Sequence, residues 1–127
     1  MAKKVHLSPK APKPIGPYSQ AIEANGFVFF AGMIPLDPAT GEIVKGDVTA
    51  QAKRVMENIS ALIETTDLTF ENIVKTTIYL TDMNDFNAVN EVYGQHFKAA
   101  PPARTTIAVA GLPRGAKVEI EVIACRN

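Results

Sequence analysis

One arginine and two glutamates near the C-terminus have the types and spacing to handle a small carboxylic acid. Arg104 lies in one stretch of alternating apolar and polar residues, and Glu119 and Glu121 lie in the next such stretch. An arginine holds a carboxylate through two parallel hydrogen bonds, and a partly buried glutamate can exchange a proton near neutral pH. The pattern therefore predicts a site that grips a carboxylate and moves protons beside it.

Residues 101–124 are predicted to form the β-hairpin that carries this site. Successive residues of a strand point to opposite faces, so each strand has one mostly apolar face and one polar face. The apolar positions, which should contact helices, are Thr105, Ile107, Val109, Val118, Ile120 and Val122. Arg104 would then share the opposite face of the sheet with Glu119 and Glu121.

Alternating hydrophobicity predicts four further strands. They cover residues 4–7, 18–24, 27–31 and 73–81. The dipeptide Asn25-Gly26 is typical of a tight turn, so the second and third of these strands should pair as a hairpin. With residues 101–124 the sheet would have six strands.

Two amphipathic helices are predicted between the strands. The first should begin near Asp47 or Thr49, either of which can cap it, and the second should follow the polar turn at residues 82–85. Gln51 is placed on the solvent side of the first helix. The apolar stripes comprise Ala52, Val55, Met56, Ile59, Leu62 and Ile63, and then Phe86, Val89, Val92, Tyr93 and Phe97. The expected fold is one α+β domain over residues 1–127, a mixed six-stranded sheet with both helices packed on one face.

The strand Phe27–Phe30 is apolar on both of its faces. A sheet covered by helices on one side would leave one of these faces in water. A domain of this size has too few residues for a second helical layer. We therefore expect a partner subunit to cover this face, since exposed aromatic patches usually mark contact sites.

Composition narrows the classes of function. The 127 residues include 13 basic and 13 acidic side chains, and this balance gives no general attraction for nucleic acid. The single cysteine, Cys125, excludes an intrachain disulfide, and neither His6 nor His96 has a second ligand at metal-binding spacing. No signal peptide or membrane span is expected, and the predicted location is cytoplasmic.

Four separated motifs resemble the RidA family, also called YjgF/YER057c/UK114. They are Gly16-Pro17-Tyr18-Ser19-Gln20, Phe30-Ala31-Gly32-Met33-Ile34-Pro35, Pro102-Ala103-Arg104-Thr105 and Lys117-Val118-Glu119-Ile120-Glu121. Their order and spacing match the family from about residue 6 to the end. The resemblance implies a chorismate-mutase-like fold and a homotrimer with active sites in clefts between subunits.

The resemblance also implies an activity, the hydrolysis of reactive 2-aminoacrylate-type enamines and 2-imino acids to 2-keto acids and ammonia without a cofactor. Arg104 and the Gly32 amide would bind the substrate carboxylate, and Glu119 would activate water. Tyr18 would offer its hydroxyl to the substrate, and the main-chain carbonyl of Thr106 would contact the water.

The chain departs from the family pattern at two positions, since many members have serine at position 31 and cysteine at position 106, where this chain has Ala31 and Thr106. These departures bear on rate and substrate preference. Asn90, on the second predicted helix, is interpreted as an ordinary surface or helix–sheet contact. Two other functions stay open: an endoribonuclease or translation inhibitor, and a non-catalytic regulator that binds keto acids in the same clefts.

Overall fold

The structure is a computed structural model and describes residues 2–127. Six strands and two helices follow one another along the chain. Their bounds are β1 Lys4–His6, β2 Ala21–Ala24, β3 Phe27–Phe30, α1 Val48–Thr65, β4 Ile73–Leu80, α2 Phe86–Gly94, β5 Ala103–Ala108 and β6 Val118–Cys125. Every predicted strand region and both predicted helices are present, so the α+β prediction is confirmed.

Local sequence explains where the elements start and turn. Asp47 caps α1 by accepting a hydrogen bond from the backbone N–H of Ala50, as predicted. Asn25 and Gly26 both have positive φ, which a tight hairpin turn between β2 and β3 requires. The stripes of α1 and α2 pack against Val118, Ile120 and Val122 of β6 in the main core. Both helices therefore cover the same face of the sheet.

The predicted hairpin of residues 101–124 is wrong. The strand order is β1-β2-β3-β6-β4-β5, so β4 lies between β5 and β6. α2 carries the chain from the end of β4 back to the start of β5, which can then only run parallel to β4. β6 pairs antiparallel with β4 on its other side. The two strands that carry Arg104 and Glu119 are therefore not neighbours.

The register of β5 also reverses the predicted faces of this strand. Arg104 pairs with Thr76 and Thr106 pairs with Ile78, and both β4 partners are buried under the helices. Ile107, predicted to contact helices, is 42% exposed on the other face. Arg104 and Thr106 consequently lie on the helix-covered face, at the edge of the sheet.

Two smaller predictions are also wrong. Gln51, placed on the solvent side of α1, is buried and accepts a hydrogen bond from the backbone N–H of Lys117. Strict alternation along 73–81 predicts that Val74 shares the inward face of Thr76 and Ile78, but Val74 is exposed because a register shift between Ile73 and Lys75 breaks the alternation.

The face of the sheet away from the helices carries exposed aromatic residues. Val28 and Phe30 are buried against the helices, whereas Phe27 is 41% and Phe29 is 45% exposed. Their rings lie 6.3 Å apart. The uncovered apolar face predicted from the sequence is therefore present in the single chain.

Candidate active site

Glu119 and Gly32 form the centre of one half of the site. An isolated bridge with two hydrogen bonds, Met33 N–H to Ile120 O and Ile120 N–H to Met33 O, holds the segment after β3 against β6. This bridge places Glu119 directly over Gly32. A Cβ built at Gly32 would overlap Glu119 Oε2 and lie 2.9 Å from its Cδ. Glycine is therefore required here for the space that the carboxylate occupies.

The environment of Glu119 favours its protonated form. Burial raises the pKa of the Glu119 carboxyl above its usual range, and the negative charge of Glu121 adds to this effect. Glu121 itself accepts a hydrogen bond of 3.0 Å from the hydroxyl of Tyr79. Within residues 2–127 no cation lies within ion-pair distance of Glu119. Such a carboxyl suits proton transfer near neutral pH.

Tyr18 lies in the same half of the site. An open pocket of about 300 Å³ is lined by Ile15, Tyr18, Ala31, Gly32, Ile34, Pro113 and Glu119. The hydroxyl of Tyr18 accepts a hydrogen bond of 3.2 Å from the backbone N–H of Ile15. This contact leaves the hydroxyl proton available to a ligand in the pocket. Except for the carboxylate and the hydroxyl, the pocket walls are mainly apolar.

The proline-rich arm that carries Tyr18 is fixed by Gln20. The buried side-chain amide of Gln20 donates to the carbonyl of Pro12 at 2.8 Å and to that of Ser8 at 3.2 Å, and its oxygen accepts from the backbone N–H of Ser8 at 2.6 Å. The backbone amides of Ala31 and Met33 are both hydrogen-bonded, and within residues 2–127 no acceptor meets the Gly32 N–H between them. The residues that line the pocket thus include a carboxyl, a hydroxyl and a backbone amide that has no acceptor within residues 2–127.

Arg104 and Thr106 form the other half of the site, beside α2. The guanidinium donates from Nη1 to Asn90 Oδ1 at 2.6 Å. It has no carboxylate partner within residues 2–127. Thr106 Oγ1 is buried, and no hydrogen-bond partner for it lies in the described part of the chain. A full positive charge and an unsatisfied hydroxyl at one edge suit an anionic ligand.

The two halves lie on opposite faces of the sheet. Tyr18, Gly32 and Glu119 are together on the open face, and Arg104 and Thr106 are together on the helix-covered face. The expectation that Arg104 shares a face with Glu119 and Glu121 is wrong, because β5 pairs with β4 and not with β6. Within one chain, strand β4 and the thickness of the sheet therefore separate Arg104 from Glu119.

Sequence reasoning missed Asn90, Phe86 and Tyr93 as neighbours of Arg104. Asn90 was interpreted as an ordinary surface or helix–sheet contact, and the two aromatics were interpreted as core. The available signal was their spacing, since positions i, i+4 and i+7 fall on one face of a helix. A polar residue between two aromatics on such a face is a pattern that can hold a cation.

Residues 2–127 contain no group of three or more histidine, cysteine, aspartate or glutamate side chains placed to hold a metal ion. None of the helices in this part of the chain is both long enough and apolar enough to cross a bilayer.

Comparison with known proteins yields matches along almost the whole chain. The family model described as "Endoribonuclease L-PSP" matches residues 8–126. The protein DfrA of Myxococcus xanthus is 57% identical over 126 residues, which cover 98% of this chain and 96% of that protein. The mouse 2-iminobutanoate/2-iminopropanoate deaminase is 45% identical over 125 residues, 98% of this chain and 93% of the mouse protein.

A solved structure, E. coli TdcF with bound serine, superposes with a TM-score of 0.92. It is 42% identical in sequence, and the match covers 98% of this chain and 99% of that one.

Proposed function

The chain belongs to the Endoribonuclease L-PSP family, the RidA/YjgF family that its motifs resemble, and we propose that it hydrolyses small 2-imino acids and their enamine tautomers to 2-keto acids and ammonia. One observation carries this proposal. The unpaired Glu119 carboxyl, with a raised pKa, lies over Gly32 in a mainly apolar pocket. The named activity of the mouse relative gives the reaction class.

The site is assembled from two copies of the chain. Arg104 and Thr106 of one copy face Tyr18, Gly32 and Glu119 of another, as in the homotrimer that the family resemblance implies. Two features support this arrangement. The two halves point away from each other within one chain, and the open face that bears Glu119 also bears the exposed rings of Phe27 and Phe29. Burial of these rings between subunits would provide the free energy of association.

Binding uses the carboxylate of the substrate. Arg104 offers a charged, planar donor group, and the Gly32 N–H offers a further donor from the opposite wall. The buried Thr106 hydroxyl gains a partner when the cleft is filled with water or substrate. The apolar pocket walls accommodate a short aliphatic side chain and limit access of bulk water.

The chemical step is the addition of water to a protonated imine. An enamine first takes a proton on its methylene carbon and becomes the iminium ion. Glu119 removes a proton from water as the oxygen bonds to the iminium carbon, which gives a carbinolamine. The same proton passes to the amino group, the C–N bond breaks and ammonia leaves. A second proton loss from the hydroxyl gives the keto acid. Tyr18 donates a hydrogen bond to the reacting group, and the fixed geometry lowers the entropy cost of the step.

A coupled assay tests this function. A serine or threonine dehydratase generates the enamine, and keto-acid release is followed with and without the protein. Acceleration that Arg104→Ala abolishes supports the proposal, with the exposed Arg114→Ala as the matched control. Acceleration that survives Arg104→Ala would reject the carboxylate clamp, and no acceleration by the unmodified protein would reject the reaction.

Two other functions have a specific observation behind them. The description of the matching family favours RNA cleavage. Of the two histidines, however, His6 is engaged by Glu23, and burial lowers the pKa of His96, which disfavours its charged form. RNA cleavage by repurified protein that Glu119→Gln abolishes would revive this function.

The serine bound to E. coli TdcF favours a ligand-binding role. Calorimetric binding of a keto acid together with no imine hydrolysis would support a regulator instead of an enzyme.

A further inference from the structure

The guanidinium of Arg104 is held on three sides by α2. Its Cζ lies 5.0 Å from the ring centroid of Tyr93 and 5.6 Å from that of Phe86, and Nη1 donates to Asn90. Both distances lie within the range of cation–π attraction. The three residues occupy one face of the helix. These three residues, which we call the arginine-binding face of α2, are all neutral. They therefore orient the guanidinium without compensating its charge.

Tyr93 is the most firmly anchored residue of the arginine-binding face. Its side chain is buried, and its hydroxyl forms a 2.7 Å hydrogen bond with Thr76 Oγ1. Thr76 is fully buried on β4 and is the register partner of Arg104 on β5. A chain of contacts therefore runs from the central strand through the tyrosine ring to the guanidinium on the edge strand. Phe86 is only partly buried and has no hydroxyl to anchor it.

We propose that Tyr93, anchored by Thr76, is a positioning residue that fixes the guanidinium of Arg104 for a small 2-keto or 2-imino acid. An arginine side chain has many rotamers, and ordering it on binding opposes affinity. A guanidinium held before the ligand arrives avoids that cost. The identity of the ligand rests on the proposed function, whereas the ordering of Arg104 does not.

The first test compares ring-removing and ring-retaining variants in the imine assay. Tyr93→Leu should raise KM about tenfold, the order expected for a partly desolvated cation–π contact, and should change kcat much less. Tyr93→Phe should raise KM by less than Tyr93→Leu, because the ring stays beside the guanidinium but loses its anchor, and it should lower the melting temperature because Thr76 loses its hydroxyl partner.

The matched control is Phe70→Leu, since Phe70 packs on the rings of His96 and Phe97 and makes no cation–π contact with Arg104. Its KM should stay unchanged. A folded Tyr93→Leu protein with unchanged KM would overturn the proposal, as would an equal rise in KM for Phe70→Leu. If Tyr93→Leu fails to fold, Tyr93→Phe takes its place with a smaller rise expected, and an unchanged KM in that variant would overturn the role of the Thr76 anchor.

A second test does not depend on the reaction. The 15N side-chain signals of Arg104, assigned by comparison with Arg104→Lys, report rotation of the guanidinium. They should be resolved and slowly exchanging in the unmodified protein and averaged in Tyr93→Leu. Identical signals in both proteins would refute the positioning role. Ordered signals in a protein without deaminase activity would refute the proposed function and leave the positioning role standing.

Discussion

Glu23 and Glu119 are both strand carboxylates on this sheet, but their surroundings differ completely. Arg126 contacts Glu23 through two hydrogen bonds of 2.7 and 2.9 Å, and His6 adds a third of 2.8 Å. These contacts, the Arg126 hydrogen bonds first, lower the pKa of Glu23 from 4.5 to about 2. Within residues 2–127 no cation lies beside Glu119, and its pKa is raised by burial and by Glu121.

The comparison separates a structural carboxylate from a functional one. The Glu23 cluster ties the C-terminal residues to β2 and to the first strand, and its charges are satisfied within the chain. At the candidate site neither the cation Arg104 nor the carboxyl Glu119 has a partner of opposite charge in the described part of the chain. Uncompensated groups of this kind reduce stability and are typical of sites that await a ligand. Substitutions at the two places should therefore have opposite effects on activity and stability.

Activity should change most when Glu119 is replaced. Glu119→Gln should lower kcat/KM by roughly 10²–10⁴-fold, the usual contribution of a general acid–base group. The free energy of unfolding at pH 7 should stay the same or rise. A carboxyl whose pKa is raised in the folded state lowers the stability of the protein as pH increases through that pKa, and glutamine does not ionise. Steady-state kinetics and thermal unfolding measure both. The control is Glu121→Gln, on the same strand and face. Its kcat/KM at the pH optimum should stay within about twofold of that of the unmodified protein.

Gly32→Ala should reduce activity by an intermediate amount. The added Cβ cannot coexist with the Glu119 carboxylate in its present position, so the carboxylate must move. A displacement of about 1 Å at a catalytic group can cost about 100-fold in rate. Gly111→Ala is the matched control, since a Cβ there meets nothing within 4 Å. Equal activity of both variants would show that the position of Glu119 over Gly32 is unimportant.

Glu23→Gln should change stability and leave activity intact. A carboxyl with a lowered folded-state pKa contributes stability above its unfolded pKa of about 4.5, and that contribution is lost as pH falls toward 2. The variant should therefore melt at a lower temperature at pH 7, and the two melting temperatures should converge near pH 2. Melting temperatures of both proteins, measured by thermal unfolding between pH 7 and pH 2, test this prediction. A constant difference at every pH would contradict the role of the Glu23 charge.

The smallest expected effect is a shift of the pH profile in Glu121→Gln. Removal of this charge lowers the raised pKa of Glu119, which must be ionised to activate water. The acid limb of kcat/KM should move to lower pH, while the maximum changes little. A limb that stays in place would mean that Glu121 does not influence the group that titrates.

The sequence allowed the helices and most strand regions to be predicted because their signals are local. The stripe of α1, the Asp47 cap and the Asn25-Gly26 turn each depend on residues a few positions apart. The neighbours of β5 could not be predicted in this way. Its alternation is compatible with pairing to either β4 or β6, and the direction of the chain after α2 decides between them. That choice also decides which face carries Arg104.

The sequence indicated which residues belong to the candidate site better than it indicated how they are arranged. Tyr18, Gly32 and Glu119 converge as the motifs suggested, and the reason for Gly32 became apparent only from the position of the carboxylate. Arg104 lies elsewhere because strand register is a tertiary property. Its contacts with α2 were missed since Phe86 and Tyr93 fit a core stripe equally well.

Mixing two inactive variants tests whether Arg104 of one copy and Glu119 of another form one site. Arg104→Met and Glu119→Gln are unfolded together, refolded as an equal mixture and assayed for imine hydrolysis. With sites between adjacent subunits of a closed ring, about a quarter of the interfaces would pair an intact arginine with an intact glutamate. About a quarter of the unmodified activity should therefore return. A mixture as inactive as each variant alone would show that the two residues do not share a site across subunits.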